Sequence, residues 1–585
     1  MDKVRFRIDG IEIEAPPGTM VLEAALDHGI FVPHYCFHRA LSVAGNCRMC
    51  MVEVRLPGRD GKLEPARKPS IACATEVAEG MEVLTTTPLV TEARKGVLEF
   101  LLINHPLDCP VCDQAGECDL QDFSYEFGEA FSRFREDKLI KHTKDFGPEV
   151  RFYGNRCINC TRCVRFTQEI AGSCDLVQVQ RGGHNVIDLA PGRVFDHPLS
   201  GNVVDICPVG ALVSRDMLHR VRVWHLERTP SICPHCATGC NIEIHTQDEV
   251  VHRLKPRHNP EVNGYWMCDF GRLGYKHIHA PQRLLEHRWQ PRDRAEGGRL
   301  GFQSVIELVA EAIRTAGPEG TWALASAWLT NEELWLFRRL FGTEQVALIA
   351  RPPWQERRFY PVWGDSERNP SLPRQRERGR LLEDGATFMI AADRNPNRTG
   401  AERILGEQAC APARLDAFVN AALAGQVRCA VVLASMPDYL PPEPLAQALA
   451  AVPETVVVDL ADGPLAGAAT IVIAGAAWAE KRGTFTNGRG RTQRLEMARP
   501  TPGQARTELE VLHALGTQLG RPMGPCSPRR LFGELVGEVA AFAGLSWEGV
   551  HHQAPEWSPH MAAQPRRLPV LSPAALVRQR GGGAG

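Results

Sequence analysis

Cys157-Ile158-Asn159-Cys160-Thr161-Arg162-Cys163, answered far downstream by Cys207-Pro208, is the stretch on which the reading of this chain turns. C-x2-C-x2-C sets three thiolates close enough for three corners of a [4Fe-4S] cubane, and a remote Cys-Pro supplies the fourth. No second C-x2-C-x2-C accompanies Cys207, so it most simply completes its own site. The pattern continues on both sides. Cys36, Cys47, Cys50 and Cys73 read C-x10-C-x2-C-x22-C; His105, Cys109, Cys112 and Cys118 read H-x3-C-x2-C-x5-C; Cys233, Cys236, Cys240 and Cys268 read C-x2-C-x3-C-x27-C. Of 19 cysteines, 16 lie in the first 268 residues. A disulfide scaffold would be short and secreted, so metal ligation in a reducing compartment accounts better for the crowding. Taken singly, the first and fourth groups also suit tetrahedral zinc. Four such sites in succession suit a conducting series better, because zinc has no redox chemistry. His105 read alone is more often a structural or surface residue than a ligand. Cys174 belongs to none of the groups and is expected to be a small buried hydrophobe.

The rest of the sequence is that of an ordinary globular chain. It has 585 residues, 44% hydrophobic and 23% charged, room for three to five domains. With 67 Lys+Arg against 69 Asp+Glu it has no basic field to hold nucleic acid. The longest nearly apolar stretch, Leu465 to Ala479, is shorter than the roughly 20 residues a bilayer span needs. The first residues enter a strand pattern with no signal-peptide character, so a cytoplasmic location is expected. Around the first cysteine group, Val4 to Ile8 alternates, Asp9-Gly10 signals a hairpin, Ile11 to Glu14 returns, and Thr19 is expected to cap a helix through Asp27 that ends near Gly29. Such an opening resembles the beta-grasp of [2Fe-2S] ferredoxins, with a longer first gap than the plant-type C-x4-C-x2-C. Gly45 and the Cys47–Cys50 turn are expected to bring backbone amides to the sulfurs.

The ordered series carries phrases that closely resemble the large iron–sulfur subunit of bacterial respiratory complex I, NADH:quinone oxidoreductase. They are Pro33-His34-Tyr35-Cys36, Gly45-Asn46-Cys47-Arg48-Met49-Cys50-Met51-Val52-Glu53-Val54, Asn104-His105-Pro106-Leu107-Asp108-Cys109-Pro110-Val111-Cys112 and Gln114-Ala115-Gly116-Glu117-Cys118. The resemblance is strong from residue 1 to about 275 and weaker afterwards. It implies one [2Fe-2S] cluster on the first group, [4Fe-4S] clusters on the other three, and His105 as a nitrogen ligand. The fourth cluster occurs in only some members of that family, and its four cysteines are all present here. It further implies partners that bind NADH, FMN and quinone, and a place in the peripheral arm of a membrane-bound complex on the cytoplasmic face of the bacterial inner membrane. By that resemblance, electrons would arrive from NADH through the flavin subunit, pass along the first three clusters and leave through other subunits toward quinone, with the fourth cluster off that path. The resemblance likewise assigns proton translocation to membrane subunits.

Beyond about residue 281, apolar runs alternate with helical patterns. Trp322 to Ser326, Val346 to Ile349, Ala386 to Ala392, Ala430 to Ala434, Thr455 to Leu460 and Thr470 to Ala474 read as buried strands. Thr330 and Glu333 form a capping box for a helix through Phe341, and Pro444 to Val452 reads as a crossover helix, so a parallel sheet follows. This region resembles the molybdopterin oxidoreductase superfamily, including Ala479-Glu480-Lys481-Arg482-Gly483-Thr484-Phe485-Thr486-Asn487. Active formate dehydrogenases of that group present Cys or selenocysteine followed by His. Here Cys410, Cys429 and Cys526 are followed by Ala411, Ala430 and Ser527, and the Lys often found after the last cluster Cys is missing from Cys268-Asp269-Phe270-Gly271-Arg272. A scaffold without molybdopterin is expected. The chain is also short for its family, so a final domain is expected to be missing.

The division expected is a multidomain α+β and α/β chain: 1–83, a [2Fe-2S] beta-grasp; 84–124, a [4Fe-4S] domain with one His and three Cys ligands; 125–220, a [4Fe-4S] ferredoxin-like domain; 221–280, a [4Fe-4S] domain of molybdopterin-oxidoreductase type; 281–552, the degenerate α/β domain; and 553–585, an extended or disordered tail. No G-x-G-x-x-G after a strand and no Walker loop occurs, so no nicotinamide, flavin or nucleotide site is expected on the chain, and no catalytic acid–base set. The competing enzyme reading is an NAD-linked formate dehydrogenase alpha subunit, which the absent Cys-His dipeptide disfavours. An iron-only hydrogenase would need further Cys motifs. A zinc-rich assembly scaffold would lack visible charge-transfer absorption.

Overall fold

Asp9 and Gly10, with φ of 47° and 83°, make the turn that reverses Val4–Ile8 onto Ile11–Ala15, Ile8 facing Ile11. Two successive positive φ values match the right-handed twist of a hairpin. In the computed structural model, which describes residues 3–292, 297–362, 382, 384–437 and 439–551, this hairpin edges a mixed six-stranded sheet. Glu82–Leu84 runs parallel to Val4–Ile8 and antiparallel to Met51–Pro57. The helix Val21–Asp27 buries Val21, Leu22, Ala24 and Ala25. Thr19 does not cap it. Its hydroxyl donates to the Pro16 carbonyl at 2.8 Å, the cap position falls to Met20, and Glu23 reaches back to the Met20 amide at 3.3 Å.

Three small units follow. The helices Pro88–Leu102, capped by Thr87, and Asp119–Phe127 flank the second cysteine group. A three-stranded antiparallel sheet of Thr143–Asp145, Val150–Tyr153 and Leu212–Ser214 stands beside the helix Arg162–Glu169, which carries Cys163. A meander of Glu227–Ile232, Asn241–Gln247 and Val250–Pro256 carries Cys233, Cys236 and Cys240 in its first connection, and Cys268 follows it at the start of the helix Asp269–Leu273.

The second half is built on a seven-stranded sheet. Its parallel part runs in the order Ile471–Ala474, Glu454–Asp459, Cys429–Leu433, Thr321–Ser326, Val346–Ile349. His287–Trp289 and Gly298–Leu300 extend it antiparallel at one edge. Alternate residues point into two cores: Ala323, Val431 and Val456 into one, Leu324, Val432 and Val457 into the other. Burial on both faces is why these strands read as unbroken apolar runs. Helix Glu443–Ala451 makes the expected crossover, and Thr330 caps Asn331–Phe341 by accepting from the Glu333 amide at 3.2 Å. Ala386 to Ala392 departs from expectation. Only Phe388–Ile390 is strand, and it pairs antiparallel with Arg357–Phe359 outside the large sheet. Its neighbours bond elsewhere: Thr387 to the Ile170 carbonyl at 2.6 Å, and the Ala391 amide to the Thr238 hydroxyl at 3.0 Å. The segment therefore serves the cysteine-rich half. Leu465 to Ala479 resolves into the short helix Pro464–Ala468 and a strand, and among the described residues no helix is long and apolar enough to cross a membrane. The expected tail lies outside the described residues.

Ala479 to Asn487 ties the two halves together. Asn487 donates to the Thr238 carbonyl and the Gly488 amide to the Ala237 carbonyl, both in the loop of the fourth group. Thr484 donates through its amide and its hydroxyl, each at 2.8 Å, to the buried carboxyl of Glu332, which burial pushes up to about 7. The unfolded chain ionises this group at its ordinary value near 4.5 and so binds fewer protons between that pH and about 7. Stability should therefore fall as pH rises through that window, by at most about 3 kcal/mol. Urea unfolding at pH 5 and pH 7.5 reads the difference, which Glu332→Gln should diminish; an equal loss in the variant would assign the effect to other groups.

Candidate metal centres

Cys36 lies in the loop after the first helix, Cys50 leads into the strand Met51–Pro57, and Cys73 sits in the turn Ala72–Ala74. The fold brings the first group together: Cys36 is within hydrogen-bonding distance of Cys47 and Cys73, and Cys50 of Cys73. The Asn46 and Cys47 amides approach the Cys36 sulfur, as the short turn predicts. Gly45 and Arg48 take φ of 62° and 59° to shape that loop. Hydrogen bonding to Cys47 and Cys73 holds the Cys36 thiol far below its ordinary value, while Cys36 itself holds Cys47 and Cys73 up. One or more of these sulfurs is poised to be anionic, the form that binds metal.

In the second group, Cys112 lies within electrostatic reach of Cys109 and Cys118. Cys118 sits at the start of helix Asp119–Phe127, where the Leu120 and Gln121 amides point at its sulfur. The imidazole of His105 and the Cys112 thiol share one neighbour, the Arg156 guanidinium, which pairs with Asp108 at 2.9 Å. Burial first, and that guanidinium second, push the imidazole down to about 4, so it is neutral at pH 7. A Cβ at Gly210 would stand 2.2 Å from the Cys112 sulfur, so the loop after Cys207 reaches into the second group.

Cys157, Cys160, Cys163 and Cys207 line one cavity together with Phe152, Ile187, Val209 and Leu212. Cys163 is delivered by its helix, and Cys207 follows the helix Asn202–Ile206 directly. The Asn159 amide donates to the Cys157 sulfur at 3.4 Å, and the amides of Val209, Ala211 and Leu212 approach Cys207. Burial raises all four thiols, Cys157 to about 12 and Cys207 to about 11. Arg162 also lines the cavity and favours the Cys160 thiolate, while a metal among the four sulfurs would displace their protons.

The fourth group is buried; burial raises all four thiols, and neighbouring thiols add to the rise at Cys233, Cys240 and Cys268. Cys268 caps the short helix Asp269–Leu273 by accepting from the Gly271 amide at 3.3 Å. Gly271 leaves room for sulfur: a Cβ there would lie 2.9 Å from Cys233 and 3.5 Å from Cys268. Asp269 accepts from Ser200 and Gly201, fixing this site against the third. Among the described residues no group of three or more His, Cys, Asp or Glu side chains is arranged as a single-ion site. The donor sets are therefore tested by chemistry: thiol-rich, apolar and ringed by amides aimed at sulfur, they fit iron–sulfur clusters.

Cys174 stands apart from all four groups. It is half-buried in a left-handed turn, φ 52°, with its amide on the Thr167 carbonyl, rather than buried as expected. Cys410 and Cys429 are buried in the second half and Cys526 is exposed. Gly210, Gly271, Arg156, Arg162 and Arg165 carry no mark in the sequence, because what distinguishes them is contact and not spacing.

Comparison with known proteins adds the following. Residues 1–88 match a 2Fe-2S iron-sulfur cluster binding domain, 94–133 the NADH-ubiquinone oxidoreductase-G iron-sulfur binding region, and 147–213 the ferredoxin-like domain of NADH-quinone oxidoreductase subunit 3. Residues 226–280 match the molybdopterin oxidoreductase Fe4S4 domain and 453–518 molybdopterin oxidoreductase. The chain is 39% identical over 347 residues to the G subunit of NADH-quinone oxidoreductase from Rickettsia felis, covering 58% of this chain and 48% of that one. It is 47% identical over 272 residues to the NADH-ubiquinone oxidoreductase 75 kDa subunit of Reclinomonas americana, covering 46% and 38%. The chain thus spans less than half the length of these relatives. A NAD+-reducing [NiFe]-hydrogenase structure is 31% identical over 38% of this chain and 91% of that one, with a TM-score of 0.33, too low to speak for the fold. Three iron–sulfur regions matched in the order in which the cysteine groups occur, together with relatives near 40% identity, make the chain similar, over part of its length, to the NADH-quinone oxidoreductase G subunit.

Proposed function

We propose that the chain is the iron–sulfur electron-relay subunit of NADH:quinone oxidoreductase, carrying electrons from an NADH/FMN subunit toward quinone. The observation that carries this reading is the packing of all four cysteine groups against one continuous core, from Cys36 through Cys118 and Cys163 to Cys268. Cys36, Cys47, Cys50 and Cys73 would hold a [2Fe-2S] cluster. His105 with Cys109, Cys112 and Cys118, then Cys157, Cys160, Cys163 and Cys207, then Cys233, Cys236, Cys240 and Cys268 would each hold a [4Fe-4S] cluster. The divisions 1–83, 84–124, 125–220, 221–280 and 281–552 are the domains of this reading. Bound clusters supply one-electron chemistry. The chain's own residues set its terms: thiolates bind, amides aimed at sulfur stabilise negative charge, and the apolar lining excludes water.

The second half is a scaffold without molybdopterin. In support, Cys410 and Cys429 are packed in the interior, and Arg272 stands four residues after Cys268, paired with Asp205 at 2.5 Å. Handover to a partner chain fits the second site. Cys109 is the one exposed thiol among the fifteen candidate ligands, and Leu107 and Val111 beside it are 90% and 58% exposed. The assembly would form a peripheral arm on the cytoplasmic face of the inner membrane, with other complex I subunits as partners.

Iron, zinc, molybdenum and tungsten measured together on anaerobically purified chain test the reading. About 14 iron per chain with no molybdenum or tungsten is expected. About one molybdenum or tungsten would favour an NAD-linked formate dehydrogenase alpha subunit, and zinc in place of iron would remove electron transfer. His105→Cys tests the unusual ligand: a thiolate in place of a neutral imidazole should lower that site's midpoint potential, as read by redox titration. An unchanged potential with the cluster intact would count against ligation.

A further inference from the structure

Arg162 and Arg165 lie one turn apart on the helix that carries Cys163 and are 2% and 7% exposed. Arg162 donates to the carbonyls of Ile206, at 3.0 Å, and Phe37, at 2.6 Å, the residues adjoining Cys207 and Cys36. Arg165 donates to the Cys36 carbonyl at 2.6 Å, to the Cys160 carbonyl at 3.2 Å and to the Ser42 carbonyl. Two guanidinium groups thus cross-link the main chain of the first and third cysteine groups at the ligand-bearing residues. Their hydrogen bonds go to neutral carbonyls and, for Arg165 Nε, to the Thr161 hydroxyl. Glu169, four residues on, uses its two oxygens on the amide and hydroxyl of Ser42. A buried cation is costly unless opposite charge lies near. Near Arg165 that charge comes from Cys160, Glu169 and Cys36, in that order, and Cys36 acts on Cys160 in turn.

We propose that Arg162 and Arg165 are positioning residues that hold the first and third sites at a fixed separation and, through their positive charge, raise the reduction potentials of both sites together. Reduction adds an electron to a cluster already anionic, so a cation between two clusters favours the reduced state of each. The inference rests on the iron–sulfur reading above and adds residues that no cysteine spacing marks.

The test uses full-length chain purified anaerobically, with redox titrations followed by EPR and with iron measured per chain. The third-site signal is assigned by its loss in Cys157→Ala. Arg165→Gln should shift the first-site and third-site midpoints negative together, Arg165→Lys should leave both near native, and the fourth site should not move. Unmoved midpoints in Arg165→Gln, or a shift confined to one of the two sites, overturns the proposal. Should Arg165→Gln lose iron, Glu169→Gln decides: removing a negative charge beside Arg165 should shift both midpoints positive, and no shift overturns it. Absence of these signals from the native chain would instead defeat the iron–sulfur reading itself.

Discussion

Gly210→Ala should cost the chain its second site, leaving about ten of about 14 irons and removing one [4Fe-4S] signal. The added Cβ would stand 2.2 Å from the Cys112 sulfur and 3.1 Å from the Gln114 Cβ. Ordinary carbon–heavy-atom contact is about 3.5–4.0 Å, so the sulfur would have to retreat by more than an ångström. Ligand sulfurs tolerate far less, because iron–sulfur bonding fixes their positions. Gly210 has no positive φ, so the effect is one of space and not backbone strain. Iron per chain and EPR measured together decide it. Full iron with all signals retained would mean that the loop after Cys207 is free to move away from the second group.

Lys481→Met should destabilise the second half by about 3–5 kcal/mol. The Lys481 ammonium lies 3.0 Å from Glu333 and 3.0 Å from Glu508, and all three side chains are at most 2% exposed. Removing it leaves two carboxylates facing each other in a dry interior. Glu333 also closes the cap of helix Asn331–Phe341, so the repulsion strikes an element that the sheet packs against. A lowered urea midpoint is expected, partly restored in Lys481→Met/Glu508→Gln, where one negative charge is gone. An undiminished midpoint in the single variant would show that the two acids take up a proton without cost.

The cysteine spacing, the opening hairpin, the capping box at Thr330 and most strands of the parallel sheet are legible in the sequence because each is a local signal. Asp9-Gly10 is a turn by its own chemistry, and strands buried on both faces are apolar throughout. Thr19 misleads for an equally local reason: its hydroxyl has two uses, and the Pro16 carbonyl takes it. Phe388–Ile390 misleads because apolar composition marks burial without marking the partner. The hydrogen bonds beside it run to Ile170 and Thr238, more than 150 residues back in the chain. The arginines around the third site are charged residues beside cysteines, and sequence alone reads them as surface. What makes them part of the site is their burial and the carbonyls they meet.

The core shared by the cysteine groups also contains Phe388, Phe485 and Leu495. A ribosome must therefore emit nearly 500 residues before the surroundings of the fourth group, whose loop meets Met389, Ala391, Asn487 and Gly488, are complete. Filling of that fourth site is then expected to be a late event, whereas Cys50 and Cys73 sit in a core closed by the first 83 residues. A nascent chain halted earlier would present the thiols of the fourth group to dissolved oxygen. Chelation should likewise strip the sites in a concerted manner, since emptying one loosens the walls of the next.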